Sequence, residues 1–576
     1  MAMRSLRRRI SVAFFALLVL PVLARGEDRA APDIARAQAV NAAHGMVVAQ
    51  EALATRIGVD ILEKGGNAVD AAVAVGFAMA VTYPRAGNIG GGGFMVIHRA
   101  SGGDDTTIDY REMAPSAINA KSFLDVDGNA DPKKSRDSAL AIGVPGTVAG
   151  LALAAEKYGS GHFTLADLIA PAITLARDGI ALADDTADSL PRDRPRLARW
   201  PSSAAIFLKP DGSTPGPGDR LVQPDLADTL EAIAKGGPQA FYAGPVAEKI
   251  AAAVQAAGGV MTADDLKDYR AVERAPVRGT YRGYDIVSMP PPSSGGAVLV
   301  EMLNILEGYD LAHEGETQTV FLMTEAMKRA YADRAWFLGD PDVVQVPLAR
   351  LTAKSYAAQW RATIDPAKAT PASAIRPLAD TAAEGRNTTH FSVADRFGNA
   401  VANTYTLNFS YGVGLVAAGT GVLLNNELDD FAAKPDAPNA YGLLGYQANA
   451  PGPGKRPLSS MTPTIVLKDG KPYLVTGSPG GSLIINTVLQ VAVDVIDRGM
   501  DIAGAVSAPR VHNQWMPDLV FAEPGVAADV VATLEARGDK VMVRPLPTSA
   551  NSILVTPSGL VGAADPRTRG ALAAGY

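Results

Sequence analysis

The stretch RNTTHFSVAD, residues 386–395, decides how this chain is read. Before it runs PLADTAAEG, turn-rich and weakly periodic. From Thr389 the pattern is that of a strand, followed by a turn at DRFGN and a second strand, AVANTYTLN. A loop that delivers two threonines to the first residues of a core strand has two explanations. Taken alone, threonine is an ordinary β-former and the pair merely opens a strand. If the chain is cut before the first of them, that threonine becomes an N-terminal nucleophile. Its own α-amine, titrating near 7.7–8.0, can take the hydroxyl proton directly or through a water. Such a nucleophile needs neither histidine nor cysteine as its base.

Composition fits that chemistry. There are no cysteines among the 576 residues, so disulfides, thiolate nucleophiles and Cys-ligated metals are excluded. The six histidines fall in no HExxH or close pair, which argues against zinc, and no GxSxG elbow is present. A net charge of −7 argues against nucleic acid as a partner. Residues 1–26 read as a signal peptide: MAMRSLRRR is a basic leader and ISVAFFALLVLPVL an apolar run too short to span a bilayer comfortably. The expectation is an exported protein, periplasmic or secreted, with no membrane span in its mature form.

Helical periodicity predicts helices in EALATRIGVDILEK, AVDAAVAVGFAMAV, TVAGLALAAEKYG, LADLIAPAITLARDG, LADTLEAIAKGG, GPVAEKIAAAVQAAGG, TADDLKDY, residues 318–336 and SLIINTVLQVAVDVIDRG. Strand-length apolar runs are GGFMVIH, YDIVSM, FSVAD, AVANTYTL, GVLLNN, PTIVLKDGKPYLVTG and NSILVTPSGLVGAA, with KDGK and PSG as hairpin turns. MPPPSSGG reads as a loop. Helices dominate before residue 388 and strands are richer after it. GNIGGGGF lacks the residues of a phosphate loop and reads as close backbone packing.

The run NTTHFSVADRFGNAVANTYTLN, with ILEKGGNAVDAAVAVGFAMAVTYPRAGNIGGGGFM, DYREMAPS, PGTVAG, LLNNELDDF, KRPLSSMTPTIV, VTGSPGGS and the ending DPRTRGALAAGY, resembles the γ-glutamyltranspeptidases over nearly the whole chain. The resemblance implies an α/β fold, the N-terminal nucleophile hydrolase four-layer αββα sandwich. It implies self-cleavage between Asn387 and Thr388 into a large subunit, 27–387, and a small subunit, 388–576, that stay together as a heterodimer. Thr388 would be the nucleophile, Thr406 its hydroxyl partner, and Gly480 and Gly481 the oxyanion hole. Arg111 would grip the substrate's α-carboxylate, which suits its planar fork; a structural ion pair with Glu112 is the bland alternative. Asp430, with Asn408 and Glu427, would receive the α-amino group, and Ser459 and Ser460 would bind the same head group. Asp429 would be a solvated or structural neighbour. Tyr441 would gate a lid that begins at Pro435.

The implied substrates are glutathione and other γ-glutamyl compounds, with water or an amino acid or dipeptide as acceptor, and neither cofactor nor metal. Two rivals stand beside this: a cephalosporin or glutaryl acylase on the same fold, against which Asp430 argues, and an uncleaved, non-catalytic exported binding protein.

Overall fold

The computed structural model describes residues 34–375, 388–435 and 437–576. The expected signal peptide, and Asn387 with the loop before it, lie outside the described residues. Alternation along the strands sets the architecture. In Met46–Ala49, the side chains of Met46 and Val48 enter one core while those of Val47 and Ala49 enter another. Phe94 and Val96 part in the same way from Met95 and Ile97. A strand has a period of two, so a sheet buried on both faces sorts its residues between two cores.

Two antiparallel seven-stranded sheets result. One runs in the order Leu572–Gly575, Met46–Ala49, Thr389–Ala394, Ala400–Thr406, Gly92–His98, Asp105–Tyr110, Val272–Arg274. The other runs Ala39–Ala42, Gly559–Ala563, Ser552–Thr556, Lys471–Thr476, Thr464–Lys468, Tyr284–Ser288, Val277–Tyr281. Their facing sides share a core of Met46, Val48, Phe94, Val287, Ile465 and Val475, among others. The outer face of the first sheet packs under the helices Ala52–Glu63 and Ala68–Thr82. The outer face of the second packs under Gly295–Leu306, Glu316–Phe337 and Leu483–Ile496. The layers are therefore helix, sheet, sheet, helix: the αββα sandwich of the N-terminal nucleophile hydrolases.

Ala68–Thr82 is buried on every side, as its all-round apolar sequence predicts. Its start is fixed by a capping box in which Asn67 accepts the Val69 and Asp70 N–H groups and Asp70 accepts that of Asn67 at 2.9 Å. The glycine run is a packing device. A Cβ on Gly91 would sit 2.0 Å from the Thr406 carbonyl oxygen. Only glycine lets the strand Gly92–His98 and its approach lie this close to the strand that carries Thr406.

The expectation that helices dominate before residue 388 and strands are richer after it holds: among the described residues fifteen of the eighteen α-helices precede residue 388, and twelve of the twenty-one strands fall in the shorter stretch after it, although the two large sheets draw evenly on both. Seven of the fourteen strands in the two sheets precede residue 388 and seven follow it. Three of the early strands are short and carry no sequence signal: Ala39–Ala42, Met46–Ala49 and Val272–Arg274 have four residues or fewer. In GVLLNN only Val422–Leu423 pairs, with Val416–Ala417. The predicted loop MPPPSSGG ends in a helix, Gly295–Leu306. No helix among the described residues is long and apolar enough to cross a membrane.

Phe94 is fully buried between the sheets. Phe94→Ala should cost about 3–5 kcal/mol, read as a lower denaturant midpoint. Phe397→Ala, at a side chain 54% exposed, should stay within about 0.5 kcal/mol.

Candidate active site

The antiparallel pairing of Thr389 with Tyr405 brings the residue before one strand level with the last residue of the other. Thr388 Oγ1 donates to Thr406 Oγ1 at 3.3 Å, and both residues are buried. Thr406 Oγ1 also accepts the Asn408 N–H at 2.8 Å. Asn408 adopts a left-handed backbone, φ 71°, a region asparagine tolerates better than most residues. From there its Nδ2 donates to the Asn426 carbonyl at 2.9 Å, and its Oδ1 accepts the Tyr441 hydroxyl.

Arg111 follows directly on the strand Asp105–Tyr110 and is fully buried. Its N–H donates to Asp109 at 2.9 Å, its carbonyl accepts from Tyr269 at 2.8 Å, and its Nε donates to the Pro457 carbonyl at 3.1 Å. The two arms of the guanidinium donate to Glu427 and to Asp430. Glu112 Oε2 lies 3.7 Å from the arm that holds Glu427. Three carboxyl groups thus crowd one cation. Burial raises all three above the usual carboxylate range against the pull of Arg111, with Glu112 pushed up to about 7. Both Glu112 oxygens and Glu427 Oε2 are buried without a hydrogen-bond partner.

Ser459 and Ser460 line the same cavity as Arg111. Ser459 Oγ accepts the Met461 N–H at 3.1 Å, and Ser460 Oγ accepts from Arg334 at 3.1 Å. The turn GSPGGS delivers Gly480 and Gly481, φ 131° and 59°, to the start of the helix Leu483–Ile496. Neither N–H has an acceptor among the described residues. Two free donors at a helix N-terminus are suited to hold negative charge. A Cβ on Gly481 would lie 2.4 Å from the Tyr441 ring, so glycine is required there both for its φ and for this contact.

Ten of the eleven residues expected from sequence line one cavity: Arg111, Thr388, Thr406, Asn408, Glu427, Asp430, Tyr441, Ser459, Ser460 and Gly481. Gly480 is the immediate neighbour of the last. The cavity holds about 20 Å³, and Tyr441 is part of its lining. Its carbonyl is held by Gln514 at 3.0 Å and its ring stacks on Phe409 at 5.8 Å. Further along the same segment, Tyr446 stacks on Trp336 at 4.2 Å.

Sequence reasoning missed the apolar lining residues Met461 and Ile484, whose residue types announce no chemistry, and Arg334, an arginine in a helix. The structural ion pair expected as the bland alternative for Arg111 is present, since Glu112 is beside it, and the same guanidinium also pairs with Glu427 and Asp430. Asp429 is not solvated. It is buried, accepts from Ser135 at 2.6 Å and from the Ala440 N–H at 3.2 Å, and burial raises it to about 6.

A family model described as gamma-glutamyltranspeptidase matches residues 54–575. The chain belongs to the γ-glutamyltranspeptidase family. Among its relatives in this family, the glutathione hydrolase proenzyme of Escherichia coli strain K12 is 54% identical over 541 residues, covering 93% of each chain. The crystal structure of a cephalosporin acylase from Bacillus halodurans superposes with a TM-score of 0.83 at 28% identity, covering 96% of this chain and 99% of that one. A Helicobacter pylori gamma-glutamyltranspeptidase structure matches at 47% identity and a TM-score of 0.55, covering 56% of this chain and 93% of that one.

Asp429 gives this γ-glutamyltranspeptidase a pH signature. Its folded pKa, about 6 against an ordinary 3.8, means that the folded state holds the proton more tightly. The stability this contributes is complete below about pH 4 and is lost as pH rises through 6. The stability of wild type minus that of Asp429→Asn should therefore fall between pH 4 and 6, as read by denaturant unfolding at each pH.

Proposed function

We propose that the chain is a γ-glutamyltransferase and glutathione hydrolase. Its nucleophile is Thr388, freed by self-cleavage after Asn387. The observation that carries this is the meeting in one cavity of a threonine at the head of a core strand with a buried arginine, a carboxylate and two serines. An α-amino acid head group needs a cation, an anion and neutral donors, and a γ-glutamyl chain places its amide carbonyl several bonds away from that head. On this reading Arg111, Ser459 and Ser460 take the α-carboxylate. Asp430, with Asn408 and Glu427, takes the α-ammonium.

The new α-amine of Thr388 accepts the hydroxyl proton as Oγ1 attacks the γ-carbonyl. Thr406, within hydrogen-bond distance, orients that hydroxyl. The oxyanion meets the N–H groups of Gly480 and Gly481; losing one such donor typically costs about 2.7–4 kcal/mol. Collapse expels the amine, which takes the proton back from the Thr388 ammonium, and leaves a γ-glutamyl ester on Thr388. Water then gives glutamate, or an acceptor amine gives a new γ-glutamyl amide. Residues 27–387 and 388–576 remain joined as two subunits of an exported enzyme. The interleaving supports this, since Thr389–Ala394 pairs with Met46–Ala49 and Ala400–Thr406 with Gly92–His98.

The acylase reading has the Bacillus halodurans likeness in its favour. Asp430 favours the γ-glutamyl reading, because a glutaryl group has no ammonium to offer it. The non-catalytic reading is tested by a denaturing gel. Wild type should give two bands, the smaller beginning Thr-Thr-His, and Thr388→Ala a single one. One band from active wild type would remove the N-terminal nucleophile.

Asp430→Asn should still mature, because self-cleavage acts on the chain's own backbone. Its kcat/KM for a γ-glutamyl anilide should fall by roughly tenfold to a hundredfold, the worth of a charge-assisted bond. A glutaryl anilide should lose far less. An equal fall on both substrates would make Asp430 a general structural or catalytic residue.

A further inference from the structure

Behind Ser460 lies a cation to which the chemistry above gives no task. Arg334 sits near the end of the helix Glu316–Phe337, only 4% exposed. Most buried arginines here are ion-paired: Arg329 with Glu325, Arg510 with Asp565, Arg111 with Glu427 and Asp430. Arg334 makes no salt bridge to any described carboxylate. Its bonds go to two hydroxyls, from Nε to Ser294 Oγ at 2.9 Å and from the second arm to Ser460 Oγ at 3.1 Å. Burial pulls it down to about 10, and Asp430 and Arg111 are both within electrostatic reach. Burying an unpaired charge is costly, so an arginine kept this way calls for a compensating partner.

Donor and acceptor counting supplies one. A guanidinium only donates, and a hydroxyl has one proton and two lone pairs. Because Ser460 Oγ accepts from Arg334, its own proton is directed elsewhere, and Ser460 lines the cavity. Ser294 Oγ likewise accepts from Arg334 and spends its proton on the Ser459 carbonyl at 2.6 Å, where the Ser294 N–H also donates at 2.8 Å. That fixes the backbone of Ser459, whose hydroxyl accepts from the Met461 N–H and so keeps its proton for the cavity.

We propose that Arg334 is a positioning residue that, through Ser294 and Ser460, holds Ser459 and Ser460 as hydrogen-bond donors to the substrate's α-carboxylate and adds the positive charge that Glu427 and Asp430 take from Arg111. This rests on the head-group assignment given under Proposed function. The missing partner of the buried cation is the substrate itself. A carboxylate bound by the two serines sits one hydroxyl away from the guanidinium, and a substrate without that carboxylate gains nothing from Arg334.

The test compares a γ-glutamyl anilide with the 4-aminobutyryl anilide, which keeps the amine and the scissile amide but lacks the α-carboxylate. On Arg334→Leu, the KM for the γ-glutamyl anilide should rise roughly tenfold to a hundredfold. Its kcat should change little, kcat/KM for the 4-aminobutyryl anilide should stay within about twofold of wild type, and the two-band pattern of maturation should persist. Arg334→Lys, which keeps the charge but not the fork, should show an intermediate KM on the first substrate and no change on the second, and it carries the same comparison if the leucine variant fails to fold. Equal losses on both substrates, or unchanged KM on the γ-glutamyl anilide, would overturn the role of Arg334 while leaving the head-group assignment standing. Wild type that treats the two anilides alike would overturn the head-group assignment and this role with it.

Discussion

The site depends on one buried cation. Arg111 is reached from a strand early in the chain, yet the groups that satisfy it come from far later: Glu427, Asp430 and the Pro457 carbonyl. Removing a guanidinium from water costs several kcal/mol, which is recovered only if its donors are met with good geometry. The segments 427–430 and 457–460 are therefore drawn to the same point, and the serines that follow Pro457 arrive at the same cavity. Removing any one partner would leave a buried charge unmatched, which explains why so polar a cluster can be this fully enclosed. The crowding also limits how much negative charge can coexist there, and burial raises Glu112, Glu427 and Asp430 alike against the pull of Arg111.

A cut before Thr388 would not divide this protein. The strand it begins lies inside a sheet, between Met46–Ala49 and Ala400–Thr406, and the sheet continues through Gly92–His98. Each half supplies seven of the fourteen strands, so neither half has a sheet of its own that could close its core. The two pieces share the apolar layer between the sheets, where Phe94 and Val287 meet Ile465 and Val475. Burial on this scale, at roughly 25 cal/mol per Å² of apolar surface, exceeds what a single peptide bond contributes by tethering. The fold would thus tolerate a new terminus at Thr388, because the strand that follows it lies inside the sheet.

What could be read from the sequence follows from the strength of its signals. Thr388, Arg111, Asp430 and the glycine pair stand in short, distinctive motifs that match the family, and the fold gathers all of them but Gly480 around one cavity. The long periodic helices were legible for the same reason, since Ala68–Thr82 and Leu483–Ile496 repeat their signal over several turns. The missed elements have weak local signals. Met46–Ala49 has only four residues and is held by pairing on both sides, a tertiary fact. Gly295–Leu306 begins with two glycines after a proline-rich loop, and its helical start is stabilised by Ser293 and Ser294 bonding to residues 459 and 461. Arg334 looks like any helical arginine until the fold sets it against Ser460, 126 residues away. Asp429 and Asp430 are adjacent and alike in sequence; the short helix Glu427–Asp430 turns one toward Ser135 and the other toward Arg111.

The pairing inside the cavity bears on what binding would undo. On the reading proposed above, a γ-glutamyl head group would displace the bond between Tyr441 and Asn408 and the one between Arg111 and Asp430. Under the proposed assignment the substrate brings a carboxylate for Arg111 and an ammonium for Asp430, so each buried charge exchanges an internal partner for an external one of the same sign. The net charge of the pocket does not change, and no ion is left bare. A ligand carrying only one of the two charges would break the internal pair and satisfy half of it. On that assignment, selectivity for a zwitterionic head would lie in the pairing that Arg111 and Asp430 make with each other, as much as in any single contact to the substrate.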